Sequence, residues 1–181
     1  VEYFGQRVKE LTGGRVVVVV KAGGEAGPEN EVLQKLADGK QALARLNLGV
    51  LADRVRYAEL ASLPYLFRSS DHLWNVLEGD FGAKLDAGIE AAGYVRLMYL
   101  DSAPRDFYCM KPIRSQADFE GRRIRVMQSK VFEQLVVNLG AKPIAIPFNK
   151  VSEALKSGQL DCADGSVVNY VSAEHHKITP Y

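Results

Sequence analysis

The sequence predicts an α/β fold with mostly parallel sheets flanked by helices, and two observations favour this class. Segments whose apolar residues have helical spacing alternate along the chain with short apolar segments of strand length. The longest apolar run, residues 16–20 (VVVVV), has no polar alternation, which indicates a strand buried on both faces, as in a parallel sheet. No internal repeat interrupts the alternation.

The first half of the chain is predicted to contain four helices and three strands. The first helix has apolar residues at Val1, Phe4, Val8 and Leu11 and ends at a pair of glycines. A proline and a glutamate suit the first turn of the second helix. The helices are expected at residues 1–14, 28–39, 69–80 and 81–93, and the strands at 15–20, within 41–51 and at 94–102.

The second half continues the alternation with shorter elements. Ser129 is expected to cap the helix that follows the arginine-rich strand, and Gly140 to end it. Strands are expected at residues 105–113, 122–127, 142–147 and 159–165, and helical segments at 115–121, 129–140, 149–158 and 169–178.

Composition narrows the range of functions. With 181 residues and 47% hydrophobic content the chain is long enough for a packed core. The 23 basic and 22 acidic residues nearly balance, so a nucleic-acid partner is not expected. No apolar run approaches the roughly 20 residues that a membrane-spanning helix requires, so no membrane insertion is expected. Val1 leads directly into an amphipathic pattern, and no signal peptide is expected within the chain.

Motifs that carry catalysis or hold a cofactor are scarce. The chain contains neither GxGxxG nor GxxxxGK[ST], and its EHHK segment (residues 174–177) lacks the HExxH spacing of a zinc site. No serine lies in a GxSxG context. Asp161 and Asp164 have the chemistry of acid–base carboxylates, but beside Gly165 they are more often turn residues. The sequence therefore predicts no metal and no cofactor, and it favours a binding protein over an enzyme.

An arginine-rich strand supplies the strongest candidate for a binding site. In residues 121–130 (GRRIRVMQSK), Arg123 and Arg125 share one face of the strand, and Arg122 lies on the other. In α/β folds ligands bind beyond the carboxyl ends of strands, where Arg125 is nearest. A buried arginine needs an anionic partner, and no acidic cluster stands nearby in sequence, so an inward arginine points to an anionic ligand. The commoner alternative is that all three are solvated charges at a strand end.

Six segments in order give a resemblance that covers essentially the whole chain. They are TGGRVVVVV, GPENEVLQKLADG, ASLPYLF, KPIRSQADFEGRRIRV, NLGAKPIAIPFNKVSEALKSGQLD and EHHKI. In this order and spacing the chain resembles the solute-binding proteins of TRAP (tripartite ATP-independent periplasmic) transporters. The resemblance implies a two-lobed periplasmic-binding-protein-like α/β fold. It also implies periplasmic location, capture of a small organic acid, and delivery of that acid to the membrane permease subunits.

The resemblance also implies roles for particular residues. Arg125 falls on the family's central arginine, which pairs with the substrate carboxylate, as the planar guanidinium fork allows. Arg105 falls on a second arginine at the same anion, and Phe148 on an aromatic packed against the ligand. A plain core aromatic is a nearly equal alternative for Phe148.

The match is less close at the other implied positions. Asp164 takes the family's acidic position, and Gly165 stands where an asparagine is expected, for which Asn169 is a weak substitute. Asn47 and Tyr65 lie in stretches that correspond to the family's cleft.

Compared with the family the chain is incomplete, and it resembles a fragment. The opening strand of the first lobe, its return segment and the hinge are not matched. We expect residues 1–101 to form most of the first lobe and residues 102–181 to begin the second.

Cys109 and Cys162 both fall in the second lobe. In an oxidising periplasm they would form a disulfide, and two separate buried thiols are an equal alternative. An α/β enzyme acting on a carboxylate substrate remains the alternative function.

Overall fold

The computed structural model describes residues 2–181, so Val1, predicted to open the first helix, lies outside the described residues. The described residues form eight α-helices and four β-strands. The helices are α1 Glu2–Leu11, α2 Glu29–Ala37, α3 Arg56–Ala61, α4 Ser70–Leu77, α5 Asp80–Ala91, α6 Lys130–Asn138, α7 Val151–Lys156 and α8 Val167–Ser172. The strands are β1 Arg105–Cys109, β2 Arg123–Val126, β3 Lys142–Ala145 and β4 Cys162–Ser166, and short 3₁₀ turns lie at Leu48–Leu51, Gln116–Phe119, Phe148–Lys150 and His175–Lys177.

The four strands form one sheet in the order β1-β4-β2-β3. Strand β2 pairs in parallel with both β3 and β4, whereas β1 pairs antiparallel with β4. The α/β class with a mostly parallel sheet is confirmed. Because β1 runs opposite to its neighbours, its first residue lies beside the carboxyl end of β4. The register therefore brings the start of β1 to the edge where α/β folds bind ligands.

Apolar packing separates into clusters that follow the sequence. One cluster contains Val55, Ala58, Leu85 and Ile89 from α3, α5 and the turn before α3. Two further clusters pack on the sheet, and both draw only on residues 107–178. Helix α3 in the first cluster was not predicted from the sequence. In the described part of the chain, no helix is long and apolar enough to cross a membrane.

The three strands predicted in the first half are wrong. Residues 15–20 and 94–102 have no regular secondary structure and pair with no other strand in the described part of the chain, and residues 41–51 end in a 3₁₀ turn. Side chains of residues 15–20, which were expected to be buried on both faces of a strand, are exposed to solvent: Val17 is 63% exposed and Val19 is 77% exposed. The physical reason is that a strand requires a hydrogen-bonded neighbour as well as suitable residues. These segments have the composition of strands, but the described residues provide no neighbouring strand to pair with them.

The ends of two predicted helices also differ from expectation. Ser129 stands at the N-cap of α6, but its buried hydroxyl makes no hydrogen bond with any described residue. The helix expected over residues 169–178 is divided into α8 and a 3₁₀ turn, because Glu174 between them adopts a left-handed conformation with φ 55°.

Candidate functional site

The three arginines around β2 have three different surroundings. Arg122 donates hydrogen bonds to two backbone carbonyls, at residues 111 and 112, on one side of the sheet. Arg123 is half exposed, and its side chain binds both oxygens of Asp161 at 2.8 and 3.0 Å. Arg125 is only 5% exposed. Of the three, Arg125 is therefore the one that faces inward.

Arg125 has an anionic partner within the protein. Its Nη1 lies 3.5 Å from Oδ1 of Asp164, and its Nε donates to the Ile146 carbonyl at 3.1 Å. Asp164 is 39 residues further along the chain, so the search for an acid nearby in sequence missed it. The parallel pairing of β2 with β4 sets Arg125 beside Ala163, the residue before Asp164. The protein itself thus supplies an anionic partner for Arg125, in addition to the ligand to which the sequence pointed.

Arg105 shares the same carboxylate from the opposite side. Its Nε and Nη2 donate to Asp164 Oδ2 at 2.9 and 2.5 Å. Arg105 is the first residue of β1, and the antiparallel register places it beside the end of β4. Two guanidinium groups thus converge on one carboxylate. Nη2 of Arg125 and Nη1 of Arg105 donate to no residue in the described part of the chain.

An aromatic ring faces each of these arginines. The guanidinium carbon of Arg125 lies 5.7 Å from the centre of the Phe148 ring, and that of Arg105 lies 5.1 Å from the Phe132 ring. Both distances fall within the range of cation–π attraction. Phe148 was predicted at the site, whereas Phe132 was not. Phe132 lies on α6, within the helix predicted at residues 129–140, and no motif distinguishes it there.

Burial governs the protonation of Arg125. It lowers the pKa of the guanidinium from its ordinary value, against the opposing charges of Asp164, Tyr108 and Glu29. An arginine nevertheless remains protonated at any physiological pH, because its ordinary pKa is above 12. Arg125 is therefore a permanent and poorly solvated cation. Such a cation favours an anionic partner strongly.

Residues of the first half of the chain reach this site through Asn47. The Asn47 backbone N–H donates to Glu29 Oε1 at 3.1 Å, and its side-chain Oδ1 accepts from the Gly49 N–H at 3.0 Å. Gly49 is buried, and a Cβ added there would lie 3.4 Å from both Met127 and Phe132. The turn after Asn47 thus packs on the aromatic ring beneath Arg105. Asn47 therefore lies next to the turn that packs on Phe132, and its role at the site stays a prediction.

Glu29 lies within electrostatic range of Arg125, which the sequence did not reveal. Its charge acts on Arg125, and its Oε2 accepts no hydrogen bond from the described residues. At the start of α2, right after Pro28, it was assigned to the first turn of a helix, where acidic residues are common. Because an acidic residue is common at this place in a helix, the sequence did not indicate that Glu29 lies near Arg125.

The other predicted residues have different surroundings. Gly165 gives room to Tyr108, since an added Cβ would lie 3.3 Å from its ring, and the ring would have to move by a few tenths of an ångström. Asn169 lies in α8, and no hydrogen bond joins its side chain to the arginines within residues 2–181. Tyr65 is 92% exposed in a left-handed conformation. The structure brings together Arg125, Arg105, Asp164 and Phe148. It links Asn47 to them only through the turn that packs on Phe132, and it does not bring Tyr65 or the Asn169 side chain to them.

A buried polar network lies behind Arg125 and Phe148. His175 is fully buried, and its ring nitrogens hydrogen-bond to the Tyr108 hydroxyl at 2.9 Å and the Ser152 hydroxyl at 3.0 Å. Burial raises the pKa of Tyr108 to about 12 and lowers that of His175, which the charge of Arg125 lowers further. Both groups are therefore neutral at neutral pH. No cluster of three or more metal-binding side chains exists among residues 2–181.

Comparison with known families gives a match over the whole chain. Residues 1–181 match the family model DctP, described as bacterial extracellular solute-binding protein, family 7. Among curated relatives, protein YiiZ of Salmonella typhimurium is 30% identical over 181 residues, which are 99% of this chain and 55% of the relative. The C4-dicarboxylate-binding periplasmic protein DctP of Rhodobacter capsulatus is 27% identical over 97% of this chain and 53% of its own. The chain thus spans about half the length of these relatives.

Solved structures agree with the same assignment. A TRAP periplasmic solute-binding protein from Roseobacter denitrificans with bound β-D-glucuronate is 31% identical, with a TM-score of 0.93 over 98% of this chain and 59% of that one. A counterpart from Sulfurospirillum deleyianum with bound succinate is also 31% identical, with a TM-score of 0.93 over 98% and 58% of the two chains. The sheet and its flanking helices are therefore those of part of a two-lobed binding protein.

Proposed function

Because the chain belongs to family 7 of the bacterial extracellular solute-binding proteins, we propose that the protein captures a small organic acid in the periplasm and passes it to the permease subunits of a TRAP transporter. The observation that carries this proposal is the convergence of Arg125 and Arg105 on Asp164. Two cations share one anion there, so the group attracts a second anion. In this role the protein binds its substrate and leaves it chemically unchanged.

The ligand carboxylate is expected to bind the donors that Asp164 leaves unused. Nη2 of Arg125 and Nη1 of Arg105 have no acceptor among the described residues, and neither is a fully buried atom, so both are accessible to an acceptor from a ligand. A carboxylate accepts such N–H groups in charge-assisted bonds. Phe148, beside Arg125, would cover the apolar part of the ligand. Asp164 would orient the two arginines before the ligand arrives.

Glu29 favours a hydroxylated acid over a simple dicarboxylate. Its charge acts on Arg125, and its Oε2 accepts no hydrogen bond from the described residues. A hydroxyl group of the ligand would donate to it, whereas a second ligand carboxylate would be repelled by it. Among the structural neighbours, one holds glucuronate and another succinate. We therefore propose a sugar acid of the glucuronate type as the ligand.

Two lobes are part of the proposal. Residues 1–101 would belong to the first lobe and residues 102–181 to the second, with the ligand between Asn47 on one side and the arginines on the other. Two features support this division. The core cluster around Leu85 and the clusters on the sheet share no residue. The turn after Asn47 also packs against Phe132 of the sheet half.

Calorimetric titration of the intact protein tests the ligand class. D-glucuronate is expected to bind with a stoichiometry of one and at least tenfold more tightly than succinate. Mass spectrometry of the recovered ligand should return glucuronate unchanged, whereas conversion to a product would establish the alternative of an enzyme that acts on a carboxylate. Tighter binding of succinate would contradict the role of Glu29. No binding of either acid would reject the proposed function.

A further inference from the structure

Beneath the arginine site, His175 connects three elements of the fold. It lies in the 3₁₀ turn after α8, it hydrogen-bonds to Tyr108 on β1, and it hydrogen-bonds to Ser152 on α7. Its backbone carbonyl also accepts the hydroxyl of buried Thr179 at 3.0 Å, so the backbone at this position is fixed as well. The ring therefore has a single orientation, set from two sides.

Two aromatic rings that border Arg125 rest on His175. The centre of the imidazole lies 5.5 Å from that of Phe148 and 5.3 Å from that of Tyr108. Phe148 in turn faces the Arg125 guanidinium at 5.7 Å. A continuous series of contacts thus runs from the imidazole through the tilted Phe148 ring to Arg125. A shift of the imidazole would change the position of the ring that covers the arginine.

The surroundings of His175 oppose a positive charge. The groups that face it are the hydroxyls of Tyr108 and Ser152 and the cation of Arg125. The Asp164 carboxylate acts on Tyr108 but is shared between the two arginines. On the far side, Tyr170 packs on Tyr108, and the neighbouring His176 packs on Tyr170 and is exposed. A protonated His175 would therefore have no unshared carboxylate to pair with among the groups that face it.

We propose that His175 is a positioning residue of the binding site, which as a neutral ring holds Phe148 and Tyr108 at Arg125 and which on protonation releases them and weakens binding of the acid. The proposal rests on the proposed function, since it concerns the affinity of that same site. Burial holds the pKa of His175 below the ordinary value of about 6.5, so the neutral ring is favoured in the fold. Affinity should therefore be complete above about pH 6.5 and should be lost as the pH falls through that lowered pKa.

The test is the pH profile of D-glucuronate affinity for the intact protein and two matched variants. Wild-type affinity is expected to fall about tenfold for each pH unit below the pKa of His175. His175→Gln keeps a polar side chain that does not titrate, so it should bind more weakly at neutral pH and lose this dependence. His176→Gln changes the exposed neighbour and should reproduce the wild-type profile. A His175→Gln profile parallel to that of wild type would overturn the proposal, and so would a wild-type affinity independent of pH.

A second measurement separates this proposal from the proposed function. Arg125 Nε donates to the Ile146 carbonyl, so its N–H resonance reports the position of the guanidinium without any ligand. In the ligand-free wild type this resonance should shift as His175 titrates, and in His175→Gln it should not. If glucuronate fails to bind at any pH, the proposed ligand is rejected, and the resonance alone decides the role of His175. An Arg125 resonance that does not respond to pH in wild type would reject that role.

Discussion

At the scale of single residues, Arg125 is expected to dominate the affinity for the ligand. Truncation of one member of a buried ion pair costs about 3–5 kcal/mol, because the other charge is left without a partner. Arg125→Ala should therefore raise the Kd for the ligand by roughly two to three orders of magnitude. Calorimetric titration measures this change. The protein should still fold, because Asp164 keeps the two bonds from Arg105.

Two variants give this experiment its controls. Arg122→Ala removes a guanidinium from the same segment, but one that binds only backbone carbonyls on the other face, and its Kd should stay within a few-fold of wild type. Arg125→Lys keeps the charge and loses the planar fork, so its affinity should be intermediate. Equal affinities of wild type and Arg125→Ala would remove Arg125 from the site.

The residue scale also defines how far the sequence could predict the site. Arg125, Arg105, Asp164 and Phe148 were named from the resemblance, and the structure has both arginines on Asp164 and Phe148 beside Arg125. Strand periodicity alone could not separate Arg125 from Arg123, since both lie on one face. The difference arises from tertiary contacts, because Asp161 holds Arg123 at the surface. Contacts between residues that are dozens of positions apart in the chain leave no local pattern in the sequence. For this reason Glu29 and Phe132 were not predicted.

At the scale of elements, a disulfide joins β1 to β4. Cys109 and Cys162 stand directly opposite each other in the antiparallel register, so the pairing of strands brings the two thiols together. The sequence left a disulfide and two free thiols equally open, and the structure has the disulfide. It closes a loop across 53 positions of the chain, for which loss of chain entropy predicts about 4 kcal/mol of stabilisation.

Removal of this disulfide should lower the free energy of unfolding without changing which ligand the protein binds. The double variant Cys109→Ala, Cys162→Ala is expected to lower the free energy of unfolding by about 4 kcal/mol in denaturant titration. Alanine is suitable because both positions are buried beside apolar residues. Wild type under denaturing, non-reducing conditions should contain no reactive thiol. Two thiols per chain in that assay would contradict the disulfide.

Elements of the second half were predicted well, and strands of the first half were not. Strands β1 to β4 formed where expected because each has a neighbour within the chain. Residues 15–20 have as strong a preference for strand as any segment, yet their valines lie open. Propensity and periodicity describe what a segment can form, but the hydrogen-bonded neighbour decides whether it does so. Pairing is a property of the fold that a local pattern does not contain.

At the scale of the whole molecule, contact between the two proposed lobes depends on the ligand more than on fixed ion pairs. Lys130 and Asp53 join the two halves at 2.9 Å, but both are exposed, and such a pair contributes at most about 1 kcal/mol. Gly49 packs on Phe132, which is a small apolar contact. A ligand held by the arginines on one side and by Asn47 and Glu29 on the other would add contacts to both halves at once.

This linkage predicts a thermal response that depends on the ligand carboxylate. A ligand that binds only the folded protein stabilises it by about 2.7 kcal/mol at a concentration of 100 Kd, so D-glucuronate should raise Tm by several degrees. Its amide, which has the same hydroxyl groups without the negative charge, should cause no shift, because the two arginines would lose their anion on closure. Neutral glucose should behave like the amide. Differential scanning calorimetry of the intact protein makes the comparison, and an amide that stabilises as much as the acid would show that the arginines do not select the ligand by its charge.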